Sequence, residues 1–249
     1  MDAKAVLLTQ RSGFSSYIDG NMLWGMIINT LSMLKGDEYI QDIFEKYEAE
    51  TIPIPFNISD VFYFDRNENG GVNYFLPLIN YKSNDKTPEN LQEYIKMKRS
   101  SSQEFYITKD NFEKIIKHEI DIDVLIERGE VVYKYEMRNR LTSHNKIERF
   151  SGRAEDGFFF YTDENYIING GLYFLVDNIN FKIIEPALNF MEHYGIGANA
   201  SKGLGHFSIS VEDFKLSDPQ EPNVNINLSQ FVPKKDEIIR FKESPQKLL

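Results

Sequence analysis

Gly195-Ile-Gly-Ala-Asn-Ala-Ser-Lys-Gly-Leu-Gly-His-Phe207 is the stretch on which the interpretation of this chain depends. Four of its first eleven residues are glycines. Because glycine has no Cβ and tolerates positive φ, such a loop leaves backbone N–H groups free and lets a phosphate group come close. A connection with a purely structural role is the alternative. The candidate phosphate ligands, Lys202 first among them, are Gly195, Gly197, Ser201, Lys202, Gly203 and Gly205.

The residues on either side of this loop predict a helix and a strand. Apolar residues recur at helical spacing from Ile183 to His193, and Gly195 is placed to end that helix in a left-handed cap. A short strand is predicted from His206 to Val211. The glycine-rich stretch is therefore expected to connect a helix to a strand.

The N-terminal half begins with a predicted strand over residues 3–9. A helix follows, with Asp19 as its N-cap, Gly36 as its stop and Trp24 among its core residues. The acidic segment 37–50 predicts a second helix, whose expected buried residues are Ile40, Phe44 and Tyr47.

The second half is richer in predicted strands. Asn169-Gly170 favours a hairpin turn, and the basic segment 138–153 is expected to be a turn. The run Phe158–Phe160 is interpreted as sheet core, with a base-stacking platform as the alternative. The predicted strands are 131–137, 157–161, 172–176 and 225–232.

The order of these elements predicts the fold class. Strand, helix, strands, helix and strand occur once in each half, which indicates an α+β protein with antiparallel sheets backed by helices. We expect two ferredoxin-like (RRM-like) units, one over residues 1–125 and one over residues 126–249, the second carrying the glycine-rich loop.

Composition excludes several classes of protein. With 41% hydrophobic and 14% aromatic residues in 249, the chain is globular rather than disordered. It contains no apolar run of the roughly 20 residues that a membrane span needs. No cysteine is present, which excludes disulfides and thiolate metal sites and favours a cytoplasmic location. No metal-ligand spacing is found, and no cofactor is expected.

Charge is distributed unevenly. The net charge of −10 counts against a free-standing nucleic-acid binder. Residues 37–50 carry six acids against one lysine, whereas residues 138–153 carry five bases against one glutamate. Arginine forks suit phosphates and polar side chains reach sugars or bases, so the basic segment predicts an RNA-binding surface, with a solvated charged turn as the alternative. Its candidate RNA contacts are Arg140, His144, Asn145, Lys146, Arg149 and Arg153.

Several of these segments resemble one protein family. The glycine-rich stretch resembles the loop of the RAMP superfamily of CRISPR systems. Arg140-Leu-Thr-Ser-His-Asn-Lys-Ile-Glu-Arg-Phe-Ser-Gly152 resembles the Asp-Arg-x-Thr-Gly segment of the fourth Csm-type subunit of type III-A effector complexes. Asn57 to Phe62, Tyr74 to Pro77 and the helix start at Asp19 are similar to further segments of that subunit, in the same order. Leu78 stands where that family has a lysine.

The resemblance implies a function and a set of partners. Such a subunit holds the 5′ handle of the CRISPR RNA (crRNA) and docks on the large polymerase-like Csm subunit and on a backbone RAMP subunit. It would be non-catalytic. Its RNA contacts would be the glycine-rich stretch and the basic segment named above.

Two other functions stay open. A CRISPR RNA-processing endoribonuclease of the same superfamily would need a histidine as general acid or base, and His144, His193 and His206 show no spacing that pairs them. A small-molecule enzyme on a ferredoxin-like fold has no support beyond the predicted fold.

Overall fold

The computed structural model describes residues 1–15, 17–49, 56–78, 106–131, 137–147, 154–178, 180–197, 199–219 and 226–230. Within them the strands are β1 (Asp2–Gln10), β2 (Phe62–Arg66), β3 (Val72–Pro77), β4 (Tyr106–Thr108), β5 (Met137–Ile147), β6 (Ala154–Ile167), β7 (Gly170–Asp177) and β8 (Phe207–Lys215). The helices are α1 (Gly20–Lys35), α2 (Asp37–Glu48), α3 (Lys109–Ile116), α4 (Ile122–Glu127) and α5 (Phe181–Tyr194), and Ala200–Lys202 forms a 3-10 turn.

Six strands form one antiparallel sheet in the order β4-β3-β2-β7-β1-β8, and β5 and β6 form a separate two-stranded sheet. The predicted α+β class with antiparallel sheets is confirmed. Strand β7 lies between β1 and β2, so the larger sheet contains strands from both sides of residue 125. The division into units at residues 125/126 stays a prediction.

Strand β1 lies at the centre of the core. Ala5, Val6, Leu7 and Leu8 are all fully buried. Because successive side chains of a strand point to opposite faces, this run means that both faces of the sheet are covered at β1. Helices α1 and α5 pack against each other, and α5 also contacts β8. The end of β1 is therefore a rigid point from which the next loop leaves.

The two N-terminal helices confirm most of the sequence prediction. Asp19 caps α1 by accepting a hydrogen bond from the Met22 amide at 2.7 Å, and Gly36 with φ 93° ends it. Helix α2 buries Ile40, but Tyr47 is 38% exposed and Trp24 on α1 is 37% exposed. Both expectations of burial are therefore wrong: α2 packs on α1, and Trp24 packs against Phe44 and Phe56 while part of its ring stays exposed.

The basic segment is a strand over its described part, not a turn. Residues 137–147 form β5, which pairs antiparallel with β6 from Met137 opposite Ile167 to Asn145 opposite Phe159. The aromatic run of β6 supplies a partner of high β propensity. Residues 148–153 and 132–136, with most of the strand predicted over 131–137, lie outside the described residues.

Two other turn and strand predictions are corrected. Asn169 does adopt a turn conformation with φ 57°, but β6 and β7 belong to different sheets, so the turn does not close a hairpin. Residues 226–230 form no strand. The Asp60 amide, just before β2, donates to the Leu228 carbonyl at 2.8 Å, and Asn21 Nδ2 of α1 donates to Gln230 Oε1. The helix before the glycine-rich loop and the strand after it are confirmed.

Gly171 provides a test of the close packing at the centre of the sheet. A Cβ there would lie 2.4 Å from the Leu8 carbonyl oxygen and 2.6 Å from the Phe64 ring. We expect Gly171→Ala to lower the free energy of unfolding by about 3 kcal/mol, because the neighbouring atom is backbone that must shift. Urea unfolding measures this change.

Gly25 is the matched control. It lies inside α1, and a Cβ there would meet nothing within 4 Å. Gly25→Ala should raise the stability by about 1 kcal/mol because alanine has the higher helix propensity. Equal effects of the two substitutions would contradict the described register of β1 and β7.

Candidate nucleic-acid interface

The glycine-rich loop, residues 195–205, starts where α5 ends. Gly195 has φ 98° and ψ 163°, and its amide donates to the Met191 carbonyl at 2.8 Å. This ψ differs from that of the predicted left-handed cap. The combination is a region of backbone conformation that is nearly exclusive to glycine. The backbone is therefore extended where the loop leaves α5.

Most backbone N–H groups of this loop are hydrogen-bonded within the protein, contrary to the expectation of a loop with many free amides. Ile196 donates to the Gly205 carbonyl at 2.7 Å, and Lys202 donates to the Asn199 carbonyl at 2.9 Å. The amides of Gly203, Leu204, Gly205 and His206 also have acceptors. Side chains, rather than a nest of amides, are consequently what the loop offers to a ligand.

The glycine-rich loop is bonded to the β1–α1 loop, residues 11–19. The Gly205 amide donates to the Gly13 carbonyl at 2.7 Å, and the Arg11 amide donates to the His206 carbonyl at 2.8 Å. Asn199 Nδ2 donates to Ser15 Oγ at 3.0 Å. The β1–α1 loop was not among the residues predicted for the site. Its glycine and serines, next to Arg11, are the sequence feature that could have indicated it.

The β5–β6 hairpin has two faces. His144 lies opposite Phe160, and the two rings stack at 5.1 Å between centroids with an interplanar angle of 16°. Asn145 lies opposite Phe159, one residue away and so on the other face. Phe160 is 45% exposed and Phe159 is 56% exposed. The expectation that these phenylalanines are sheet core is therefore wrong.

Lys202 joins the glycine-rich loop to this hairpin. Its Nζ lies 5.2 Å from the centroid of the Phe160 ring, a cation–π contact. Lys202 and His144, each predicted separately, thus both contact the Phe160 ring. We call Lys202, Phe160 and His144 the cation–ring row. The sequence predicted Phe160 as sheet core, with a base-stacking platform as the alternative.

The other predicted contact residues differ in how exposed they are. Gly195 and Gly205 are buried, whereas Ser201 and Gly203 are exposed and Gly197 is half-buried. Asn145 is exposed, on the face of the hairpin opposite to the cation–ring row. Arg140 and Lys146 are exposed on the β5 strand, and the predicted contacts outside the described residues are Arg149 and Arg153.

Arg140 has an acidic neighbour across the hairpin. Its cross-strand partner Glu164 is only 7% exposed, and its carboxylate accepts a hydrogen bond from Tyr166 Oη at 2.7 Å. This hydrogen bond first, and the positive charge of Arg140 to a smaller extent, hold the pKa of Glu164 below its ordinary value. Part of the Arg140 charge is therefore already balanced within the protein.

The histidines form no catalytic arrangement in the part of the chain that is described. His193 Nδ1 lies 2.9 Å from the Asn189 carbonyl oxygen, and His144 Nε2 is buried with no hydrogen-bond partner. No three His, Asp or Glu side chains among the described residues form a metal-binding group. None of the described helices is both long and apolar enough to cross a membrane.

Solved structures share this fold. No family model and no curated protein matches the sequence. A chain of the Csm1–Csm4 cassette in complex with cA4 is 16% identical with a TM-score of 0.52, over 88% of this chain and 72% of that one. A chain of the Csm3–Csm4 subcomplex in the type III-A CRISPR-Cas interference complex is 17% identical with a TM-score of 0.51, over 86% and 70%. The resemblance to this Csm-type RAMP subunit is therefore confirmed at the level of the fold.

Gly205 tests whether the glycine-rich loop owes its shape to backbone packing. It has φ 72°, and a Cβ there would lie 2.0 Å from the Ile196 carbonyl oxygen. We expect Gly205→Ala to cost about 3 kcal/mol of unfolding free energy. At Gly203, with φ 86° and open space around it, the same change should cost only about 1 kcal/mol. Thermal or urea unfolding compares the two; a larger cost at Gly203 would contradict this geometry.

Tyr166→Phe tests the buried carboxylate. A carboxyl group with a lowered folded-state pKa contributes stability above its unfolded pKa of about 4.3, and that contribution is lost as pH falls through the folded value. Removing the Tyr166 hydroxyl should raise the pKa of Glu164. The stability deficit of the variant should therefore be largest above pH 5 and should shrink in acid. Urea midpoints as a function of pH measure it, with the exposed Tyr161→Phe as control; a deficit independent of pH would contradict the assignment.

Proposed function

We propose that this chain is a non-catalytic RNA-binding subunit of a type III-A CRISPR effector ribonucleoprotein. It binds the 5′ handle of the crRNA and docks on the large polymerase-like subunit and on a backbone RAMP subunit. The observation that carries the proposal is the cation–ring row, in which the Lys202 ammonium group, the Phe160 ring and the His144 ring meet at the junction of two elements.

The chemistry of this row suits single-stranded RNA. Unstacked bases bind on aromatic faces, and a lysine beside such a face reaches the neighbouring phosphate. Lys202 is exposed and Phe160 is nearly half exposed, so both remain accessible to a ligand. Two exposed basic side chains of β5, Arg140 and Lys146, extend the positive surface along the hairpin.

The net charge is consistent with work inside a ribonucleoprotein. An acidic protein gains RNA affinity at one basic surface while neighbouring proteins cover other faces. Helix α2 carries the acidic excess and packs on α1, away from the glycine-rich loop in the chain. The neighbours of similar fold are named as parts of assemblies with Csm1 or with Csm3, which supports protein partners for this chain.

Replacing Lys202 and Phe160 tests the RNA surface. Loss of one stacked base costs roughly 1–3 kcal/mol, so Phe160→Ala should weaken binding of the crRNA about tenfold or more. Lys202→Ala should weaken binding and reduce the slope of log K against log salt by about 1, because one phosphate contact is lost. Lys202→Ala combined with Arg149→Ala should weaken crRNA retention further without unfolding the chain. Filter binding at several salt concentrations measures these changes, and circular dichroism checks the fold.

Two control variants match these substitutions in chemistry. Lys114 is exposed on α3, and Phe159 is exposed on the other face of the hairpin. Lys114→Ala should leave both affinity and salt slope unchanged, and Phe159→Ala should cost less affinity than Phe160→Ala. Unchanged retention of crRNA in a complex carrying both the Lys202 and the Arg149 substitution would overturn the proposal.

A crRNA-processing endoribonuclease is the alternative. It requires a histidine nitrogen at the scissile phosphate. Nε2 of His144 is buried, which counts against His144 in this role without a conformational change. Incubation of the purified chain with repeat RNA distinguishes the two functions. A discrete cut that His144→Ala abolishes would show a nuclease and would contradict the proposed non-catalytic subunit.

A further inference from the structure

The β5–β6 hairpin lies outside the main sheet. Among the described residues, neither β5 nor β6 pairs with a strand of the six-stranded sheet. A two-stranded hairpin is at best marginally stable in water by itself. Its direction relative to the rest of the protein must therefore come from contacts at its base and from the Lys202–Phe160 contact about halfway along β6.

Gln10 supplies an unusual contact at that base. Its side-chain oxygen accepts a hydrogen bond from the Ile167 amide at 2.9 Å, and its side-chain nitrogen donates to the Asn165 carbonyl at 3.2 Å. One backbone bridge lies beside it, in which Phe14 and Asn165 exchange hydrogen bonds of 3.2 and 2.8 Å. The side chain of Gln10 thus bonds to one donor and one acceptor of the β6 backbone.

The side-chain amide of Gln10 supplies both an acceptor and a donor. The acceptor meets the Ile167 N–H and the donor meets the Asn165 carbonyl, which also accepts from the Phe14 amide, so this pair of partners determines which way the Gln10 amide points. Gln10 is the last residue of β1 and pairs with Phe207 of β8. Its backbone is therefore held within the six-stranded sheet, and its side chain connects that sheet to the hairpin.

A small rotation at this base has a large effect on the cation–ring row. Phe160 lies five residues along β6 from Asn165, a distance of about 16 Å in an extended strand. A rotation of about 10° at the base then moves Phe160 by about 3 Å. Such a shift would break a contact in which Lys202 Nζ lies 5.2 Å from the ring centroid.

We propose that Gln10 is a positioning residue, whose side-chain amide fixes the β5–β6 hairpin so that Phe160 and His144 share one RNA-binding surface with Lys202. The RNA part of this inference rests on the function proposed above. Gln10 itself is expected to touch no RNA, because it acts through the direction of the hairpin.

The first test needs no RNA. Gln10→Ala should speed hydrogen exchange of the Ile167 amide roughly threefold to tenfold, because one hydrogen bond is lost, and should speed exchange along β6 as well. Gln10→Glu keeps the volume but loses the donor. Its protection of the Ile167 amide should fall at neutral pH and recover when the introduced carboxyl group is protonated. Gln41→Ala, at an exposed position of α2, is the control and should change neither.

The second test measures coupling to Lys202 in the assembled complex. Gln10→Ala should weaken crRNA binding about threefold or more, and Lys202→Ala should cost at least threefold less in that background than in the wild type. Unchanged exchange at Ile167, or fully additive losses of affinity, would overturn the positioning role. If Gln10→Ala loosens the hairpin while neither Lys202→Ala nor Phe160→Ala affects crRNA, the failure lies with the proposed RNA surface, and the positioning of that surface is overturned with it.

Discussion

The hydrogen bond from the Gly205 amide to the Gly13 carbonyl, at 2.7 Å, connects the two loops on which the candidate site depends. A chain of contacts runs outward from it. The β1–α1 loop contacts β6 through Phe14, and the glycine-rich loop contacts the same strand through Lys202. Because β1 is buried on both faces, this set of loops leaves from a rigid support. The hairpin, which pairs with no other described strand, takes its position from these contacts.

The glycines of the loop allow close backbone packing within it. Gly205 has a left-handed conformation against the Ile196 carbonyl, and Gly195 has a conformation that other residues rarely adopt. Their amides are used inside the protein, since an unpaired buried N–H would cost roughly 1–3 kcal/mol. The proposed RNA surface therefore depends on the ammonium group of Lys202 and the ring of Phe160 rather than on backbone amides.

This arrangement also gives a physical account of how an acidic protein would bind RNA, as proposed above. The basic strand β5 is partly balanced by its own partner, since Arg140 lies opposite the buried Glu164. Lys202 supplies a positive charge where the loop and the hairpin meet. Stacking on a ring needs no charge and tolerates a net negative protein, so an aromatic contact fits this chain better than a broad basic groove would.

The sequence by itself determined helices α1, α2 and α5, the class of fold and the family resemblance, because caps, helical spacing and turn residues act over a few neighbouring positions. Asp19, Gly36 and Gly195 bound their helices where predicted for that reason, although Gly195 does so with an extended ψ rather than in the left-handed conformation. Only the tertiary structure decided that the basic segment is a strand, that Phe160 is exposed and that Lys202 meets it. It also decided the role of Gln10, whose partners are more than 150 positions away in the chain. Such pairings depend on which strands become neighbours, and no local pattern of residues carries that information.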